Sequence, residues 1–287
     1  MSATMVELEL ATQRPRRRWS RAWAYPSLTI GAVMFGLIVL AVILAPVLTP
    51  YQPNGQDLTA ILQGPSAHHL LGTDELGRDE LTRLLYAGRT DLTVGILAVL
   101  FPFCFGTAIG TLSGFYGGRL DWVVMRIVDV LVAFPFYVLV IALVFIVGTG
   151  TRGIYIAFAI ADWVVYARTV RSATLVVREA EYVAAARVGG LGDLRILARH
   201  VLPNTVTQAI VYSMTDIVLV IVAVVTLGYL GLGVQPPTPD WGAMINDGQD
   251  FITTHWTLAT LPGIAVALTG LSLSLIGDGL ADMLRPR

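Results

Sequence analysis

The chain has 287 residues, of which 55% are hydrophobic and only 14% charged, with a net charge of −1. Soluble globules carry about 25% charged residues to cover their surface; nineteen basic and twenty acidic side chains are too few for a particle of this size. The composition therefore excludes a soluble globule, a disordered chain, collagen and a disulfide scaffold, and it makes a bilayer the main solvent. Every basic residue is arginine. A phosphate-binding Walker A loop and Schiff-base chemistry both need a lysine amine, so neither is expected, and no metal site is expected either. The lone Cys104 can form neither an internal disulfide nor a cysteine-based zinc cluster. It reads as a small core hydrophobe. No basic arm interleaved with aromatics points to nucleic acid.

In chain order, residues 1–27 form an arginine-rich tail (Arg14, Arg16, Arg17, Arg18, Arg21) that reads as a topology anchor rather than a cleaved signal. A bilayer-crossing helix needs about 20 apolar residues. The runs Leu28–Leu48, Leu92–Gly114, Val130–Gly150, Gly153 to near Leu175, Val206–Leu232 and Thr257–Gly277 qualify, giving six spans. Strand-type alternation is absent, so the fold class is an all-α integral membrane protein with six transmembrane helices. Six spans put fifteen arginines on one side and only Arg78, Arg83, Arg89 and Arg152 on the other. The positive-inside rule then predicts both termini in the cytoplasm. Trp23, Trp122, Trp241 and Trp256 sit near span ends, as an interfacial aromatic belt requires.

Three segments lie outside these runs. Residues 49–91 and 234–256 are predicted on the outer face, the first with a polar, helix-like stretch at Thr73–Leu81. Asp74, Arg78, Asp79 and Trp241 are candidate contacts for an external partner. Residues 179–204 lie on the inner face. Glu181 to Val188 has helical spacing with small residues at Ala184, Ala185 and Ala186, and Gly189-Gly190 breaks it. A second amphipathic helix, Leu191 to Val201, is predicted to stop at Pro203. Such a helix–glycine–helix unit suits insertion into a partner's groove.

Within the spans, Asp162 and Asp216 are charges in hydrocarbon and are candidate pathway residues, with a structural bond to a neighbouring helix as the other reading. Arg126 and Asp129, three apart, are expected to pair along one helix face. Gly106, Gly110 and Gly114 strip side chains from one face and predict close helix packing. The four histidines, His68, His69, His200 and His255, all lie outside the spans, so an intramembrane Ser/His protease has no base at depth.

At residues 179–204 the chain resembles the permeases of the ABC importer superfamily. The resemblance rests on Ala185-Ala186, Gly190 and Leu202-Pro203, with Ala184 where that family has glutamate and Glu181 one turn upstream. Leu71-Gly72-Thr73-Asp74, Gly77-Arg78-Asp79, Ala133-Phe134-Pro135 and Gly231-Leu232-Gly233-Val234-Gln235-Pro236-Pro237 are similar to the C-type permeases of oligopeptide and dipeptide importers. The likeness spans roughly Leu28 to Arg287.

It implies a type I importer permease (MetI-like) fold in a bacterial plasma membrane, with no cofactor in this chain. The implied partners are a homologous second permease, two ATPase subunits or domains that bind ATP and magnesium, an external substrate-binding protein and membrane lipid. Glu181, Ala184, Ala185, Ala186, Gly190, Leu202 and Pro203 would couple to the ATPase. The implied cargo is a dipeptide or oligopeptide. A same-family permease for a nickel chelate, glutathione or haem is the alternative, and a stand-alone secondary transporter is a further one.

Overall fold

The computed structural model describes residues 25–284; the arginines of the tail, Trp23, Arg285 and Arg287 lie outside the described residues. The described residues form helices joined by turns, with one isolated bridge between Thr73 and Asp79. In chain order the helices are α1 (Pro26–Ile43), α2 (Ala45–Leu48), α3 (Glu80–Tyr116), α4 (Gly118–Val132), α5 (Phe136–Val147), α6 (Thr151–Ala161) and α7 (Trp163–Val177). There follow α8 (Glu181–Val188), α9 (Asp193–Ile196), a π-helical turn at Leu197–Val201, α10 (Leu202–Tyr229), α11 (Trp241–Gln249) and α12 (Thr257–Leu284). Five stretches are long and apolar enough to cross a membrane, and the bent pair α4–α5 makes a sixth if counted as one span.

Three boundaries differ from the sequence reading, each for a local reason. Thr73–Asp79 is a set of tight turns rather than a helix, and α3 starts at Glu80 because Asp79 caps it, its carboxylate accepting from the Thr82 N–H at 2.8 Å. The helix then runs for 37 residues, about 55 Å. The third apolar run is broken. Pro135 disfavours helical backbone at Phe134, and α5 leaves α4 at 90°. The second inner helix does not stop at Pro203 but continues through it as a 37-residue rod, Asp193–Tyr229. Proline lacks an N–H and crowds the preceding turn. The π-helical turn at Leu197–Val201 lies immediately before that point and widens the helix there.

The bundle is held by a seam between α3 and α7. A Cβ on Gly106 would lie 2.5 Å from the Trp163 carbonyl oxygen, one on Gly110 2.5 Å from that of Ala167, and one on Gly114 2.8 Å from the Thr174 Cβ. The glycine stripe thus packs inside the chain's own bundle. On the other side, Gly31 of α1 and Gly279 of α12 bring those two helices together, against Ser272 and Leu28 respectively. One apolar core fills the space between α3, α5, α6, α7 and α10, around Phe158, Ile154, Val144 and Val220. A second, between α1, α3, α10, α11 and α12, is built on Trp241, Ile221 and Leu92. Cys104, expected in a core, is exposed. It lies on the same stretch of α3 as the exposed Leu100, Phe101 and Phe105.

The seam generates a stability prediction. In Gly110→Ala the new methyl meets backbone, which cannot swing aside, so stability should fall by about 1–3 kcal/mol. Gly36→Ala meets nothing within 4 Å and should be neutral. Thermal unfolding of both variants in one detergent checks the pair, and equal midpoints would remove the seam from the account.

Candidate functional site

α3 separates two ends of the molecule. Trp241 packs on Gly88 near its start, while the Arg178 guanidinium donates to the Gly114 carbonyl near its end at 2.8 Å. The segment 179–204 forms an elbow at the second end. Helix α8 closes on a turn in which the Gly190 N–H donates to the Arg187 carbonyl and the Leu191 N–H to that of Ala186, both at 3.1 Å. This six-residue closure needs left-handed backbone at the residue after the cap. Gly190 supplies it with φ +79°, at no steric cost because it lacks a Cβ.

The elbow has its own apolar core. Val183, Ile196 and Val201 are buried against Phe115 at the end of α3, with Ala186 and Leu191 partly buried beside them. Arg187 lies over the Phe115 ring at 5.8 Å. Consecutive residues on a helix diverge by about 100°, so the three alanines do not share a face. Ala186 turns inward, while Glu181, Ala184, Ala185 and Val188 form an exposed stripe, with Val188 91% exposed. Leu202 is half-buried and Pro203 exposed at the start of α10.

The two intramembrane aspartates, separated by more than fifty positions in sequence, meet in space. Asp162 occupies the break between α6 and α7. Asp216 on α10 accepts from the Tyr166 hydroxyl at 2.7 Å and from the Tyr212 hydroxyl at 3.4 Å. Among the described residues, Asp162 is buried with its Oδ2 unpartnered. Both aspartates are 2% exposed, and the two tyrosine rings meet edge to face. The knot ties the middle of the α6–α7 span to α10. It lies inside the chain's own bundle. Sequence reasoning missed Tyr166 and Tyr212; their spacing from each other gives no periodic signal.

At the opposite end, residues 49–79 and α11 form a cap, and here the expected external contacts are interior. Asp74, Asp79 and Trp241 are at most 4% exposed. Asp74 accepts from the Leu76 and Arg78 N–H groups and from the Arg78 Nε at 2.6 Å, with the Arg83 Nε 3.3 Å away. Gly77 closes the turn at φ +69°, where a Cβ would collide with the Asp57 carbonyl. Asp79 also holds the His69 ring, Nδ1 to Oδ1 2.9 Å. The Trp241 backbone N–H donates to Asp91 at 2.8 Å and its indole N–H to the Leu84 carbonyl at 3.0 Å. These four residues build the cap rather than face a partner, because each makes bonds that only a dry site rewards. The surface at this end is instead Leu58, Leu70, Ile252 and Trp256, all more than half exposed. A groove of about 270 Å³ lies between residues 63–73 and Thr254–Leu258.

Arg126 and Asp129 do not pair. Arg168 takes Asp129 at 2.9 Å, and Arg126 lies over the Trp122 ring at 5.6 Å.

Burial lifts the Asp240, Asp247 and Glu75 carboxyls of the cap above their ordinary range. Asp240 caps α11 through Ala243 N–H, while its Oδ2 is buried without a partner.

Two predictions follow from this geometry. Raised carboxyls favour the folded cap when protonated, so cap stability is full below the ordinary carboxylate range and falls as pH rises through the lifted values. Amide exchange in Trp241–Gln249, corrected for intrinsic rate, should accelerate as pH rises above the ordinary carboxylate range; Asp240→Asn should flatten that rise. In the knot, Tyr166→Phe leaves a buried acceptor unpaired and should lower stability by about 1–3 kcal/mol. An unshifted melting temperature would dissolve the knot.

Comparison with known proteins places these features. Residues 106–287 match the family described as binding-protein-dependent transport system inner membrane component. Residues 17–65 match the N-terminal TM domain of oligopeptide transport permease C. The chain is 39% identical to the glutathione transport system permease protein GsiD of Pectobacterium atrosepticum, covering 100% of this chain and 96% of the relative. It is 38% identical to the di/tripeptide transport system permease protein DppC of Pseudomonas aeruginosa, covering 100% and 97%. It is 39% identical to the dipeptide transport system permease protein DppC of Alkalihalophilus pseudofirmus, covering 90% and 85%.

Proposed function

Because the chain belongs to the binding-protein-dependent transport system inner membrane component family, we propose that it is the membrane-spanning permease of an ATP-driven importer of dipeptides and oligopeptides. It forms half of the pathway beside a homologous second permease. Two ATPase subunits or domains bind ATP and magnesium on the elbow side, and a substrate-binding protein docks on the cap side. Both termini then lie in the cytoplasm, since the elbow end carries Arg119, Arg126, Arg171, Arg178, Arg187, Arg195 and Arg199.

The observation that carries this reading is the exposed stripe Glu181, Ala184, Ala185 and Val188 on a helix locked to the bundle by its own core. A short helix with small side chains outward fits a groove in a motor subunit, and Ala184, in place of a charged residue, leaves Glu181 as the acidic contact. A push on α8 passes through the Gly190 turn and the Val183–Ile196 core into the rod Asp193–Tyr229. The rod carries Asp216, and through its bond to Tyr166 moves the α6–α7 span. In this reading Asp162 and Asp216 act on the pathway by transmitting motion rather than by lining it. The binding protein rests on Leu58, Leu70, Ile252 and Trp256, with the groove beside Trp256 receiving one of its side chains.

Short peptides are the cargo class, from the two dipeptide and di/tripeptide relatives. Glutathione is the second reading, favoured by equal identity to a glutathione permease along the whole chain. Reconstitution with the neighbouring genes' subunits tests the coupling. Ala185→Arg combined with Gly190→Pro should abolish co-purification of the ATPase and hold ATP turnover at its unstimulated rate with peptide-loaded binding protein. Retained co-purification and stimulation would reject the elbow as the coupling element.

A further inference from the structure

Helix α4 divides into three arcs. Val124 and Val128 are buried against Val164 and Ala167 of α7. Leu120, Val123, Ile127 and Val130, spaced at helical intervals, are each about half exposed and follow that buried arc without a polar break. The remaining arc carries Arg119, Trp122, Arg126 and Asp129, all exposed.

The charges near α4 mark a level in the bilayer. Between Asp91 and Arg119 the chain has no charged residue. At α4 they appear together from two helices: Arg119, Asp121, Arg126 and Asp129, with Arg168 and Arg171 of α7. Arg171 binds both oxygens of Asp121, and Arg168 binds Asp129. Four arginines thus face two aspartates. Among the described residues, Arg119 and Arg126 have no carboxylate within ion-pair distance.

Beside Arg126 runs a groove of about 380 Å³, lined by Gly118, Asp121, Trp122, Met125, Arg126, Asp129 and Arg171, its two carboxylates being those held by Arg171 and Arg168. Trp122 is 63% exposed at its rim, with Arg126 stacked on the ring. An amphipathic indole at a charged boundary is the side chain that settles at headgroup level. The guanidinium of Arg126, without a carboxylate partner, is a bidentate donor to phosphate oxygens.

We propose that this groove on α4 holds the phosphate headgroup of an anionic glycerophospholipid, with its acyl chains lying along the exposed stripe Leu120, Val123, Ile127 and Val130. With Asp121 and Asp129 taken by Arg171 and Arg168, the positive charge left over on Arg126 and the neighbouring Arg119 selects an anionic headgroup over a zwitterionic one. The adjoining apolar stripe selects a lipid over a soluble phosphate, which would leave those side chains uncovered. The inference rests on the chain's spanning a bilayer and is independent of what it imports.

The test uses the full-length chain in a neutral detergent, with bound lipid counted by native mass spectrometry. Dioleoyl phosphatidylglycerol, dioleoyl phosphatidylcholine and glycerol 3-phosphate are supplied in separate arms. Phosphatidylglycerol should be retained in preference to phosphatidylcholine, and glycerol 3-phosphate should not displace it. Arg126→Gln should reduce retained phosphatidylglycerol about fivefold, Arg119→Gln less, and Arg126→Lys should recover part of the loss. Circular dichroism of each variant confirms unchanged helix content; a variant that loses helix is replaced by Trp122→Ala under the same criterion. Equal retention of the two lipids, or retention unchanged in Arg126→Gln, overturns the proposal. Displacement by glycerol 3-phosphate overturns the lipid assignment in favour of a soluble anion.

Discussion

In hydrocarbon there is no water to take up an unpaired polar group, so helices must meet closely enough to satisfy one another. The seam of Gly106, Gly110 and Gly114 against α7 sets that closeness here. It fixes the height of α7 on α3, and so where Tyr166 stands. That position in turn decides which residue of α10 the Tyr166 hydroxyl can reach. Small side chains on one face of one helix therefore determine the placement of the only carboxyls described inside the α6–α7 and α10 spans.

Both ends of the bundle are consequences of the same rigidity. At the elbow, α8 has no room to yield, because Val183 and Ile196 are buried against Phe115 and the turn is locked by paired hydrogen bonds around Gly190. A force applied there is passed on instead of absorbed. At the cap, Asp74 joins Arg78 and Arg83 while Trp241 bonds to Asp91 and Leu84. The cap is thereby fastened to the start of α3 and to α11.

Much of this was legible in the sequence, and the misses share a cause. Long apolar runs, arginine placement and the glycine spacing depend only on local composition, and they predicted the spans, the all-helical class and the close packing. Ala185-Ala186, Gly190 and the outer turns carried the family likeness, which the match over residues 106–287 supports. What stayed hidden depends on partners distant in the chain. Asp162 and Asp216 read as separate charges because nothing local announces that Tyr166 and Tyr212 join them. Asp74, Arg78, Asp79 and Trp241 read as surface because polar residues in a turn-rich segment are usually wet; here Asp74 pairs with Arg78, Asp79 with His69 and Trp241 with Asp91 and Leu84, and the three groups pack into the cap. Pro203 read as a stop because the wide turn that tolerates it has no simple sequence signature.

That wide turn has one more consequence. A π-helical turn holds an extra residue, which rotates everything after it by about 100° relative to a regular helix. The bearing of Asp216 relative to Ile196 is set by this offset at Leu197–Val201. The phase of the rod, and with it the angular address of an acid buried in the bilayer, is thus written in five residues at the water's edge.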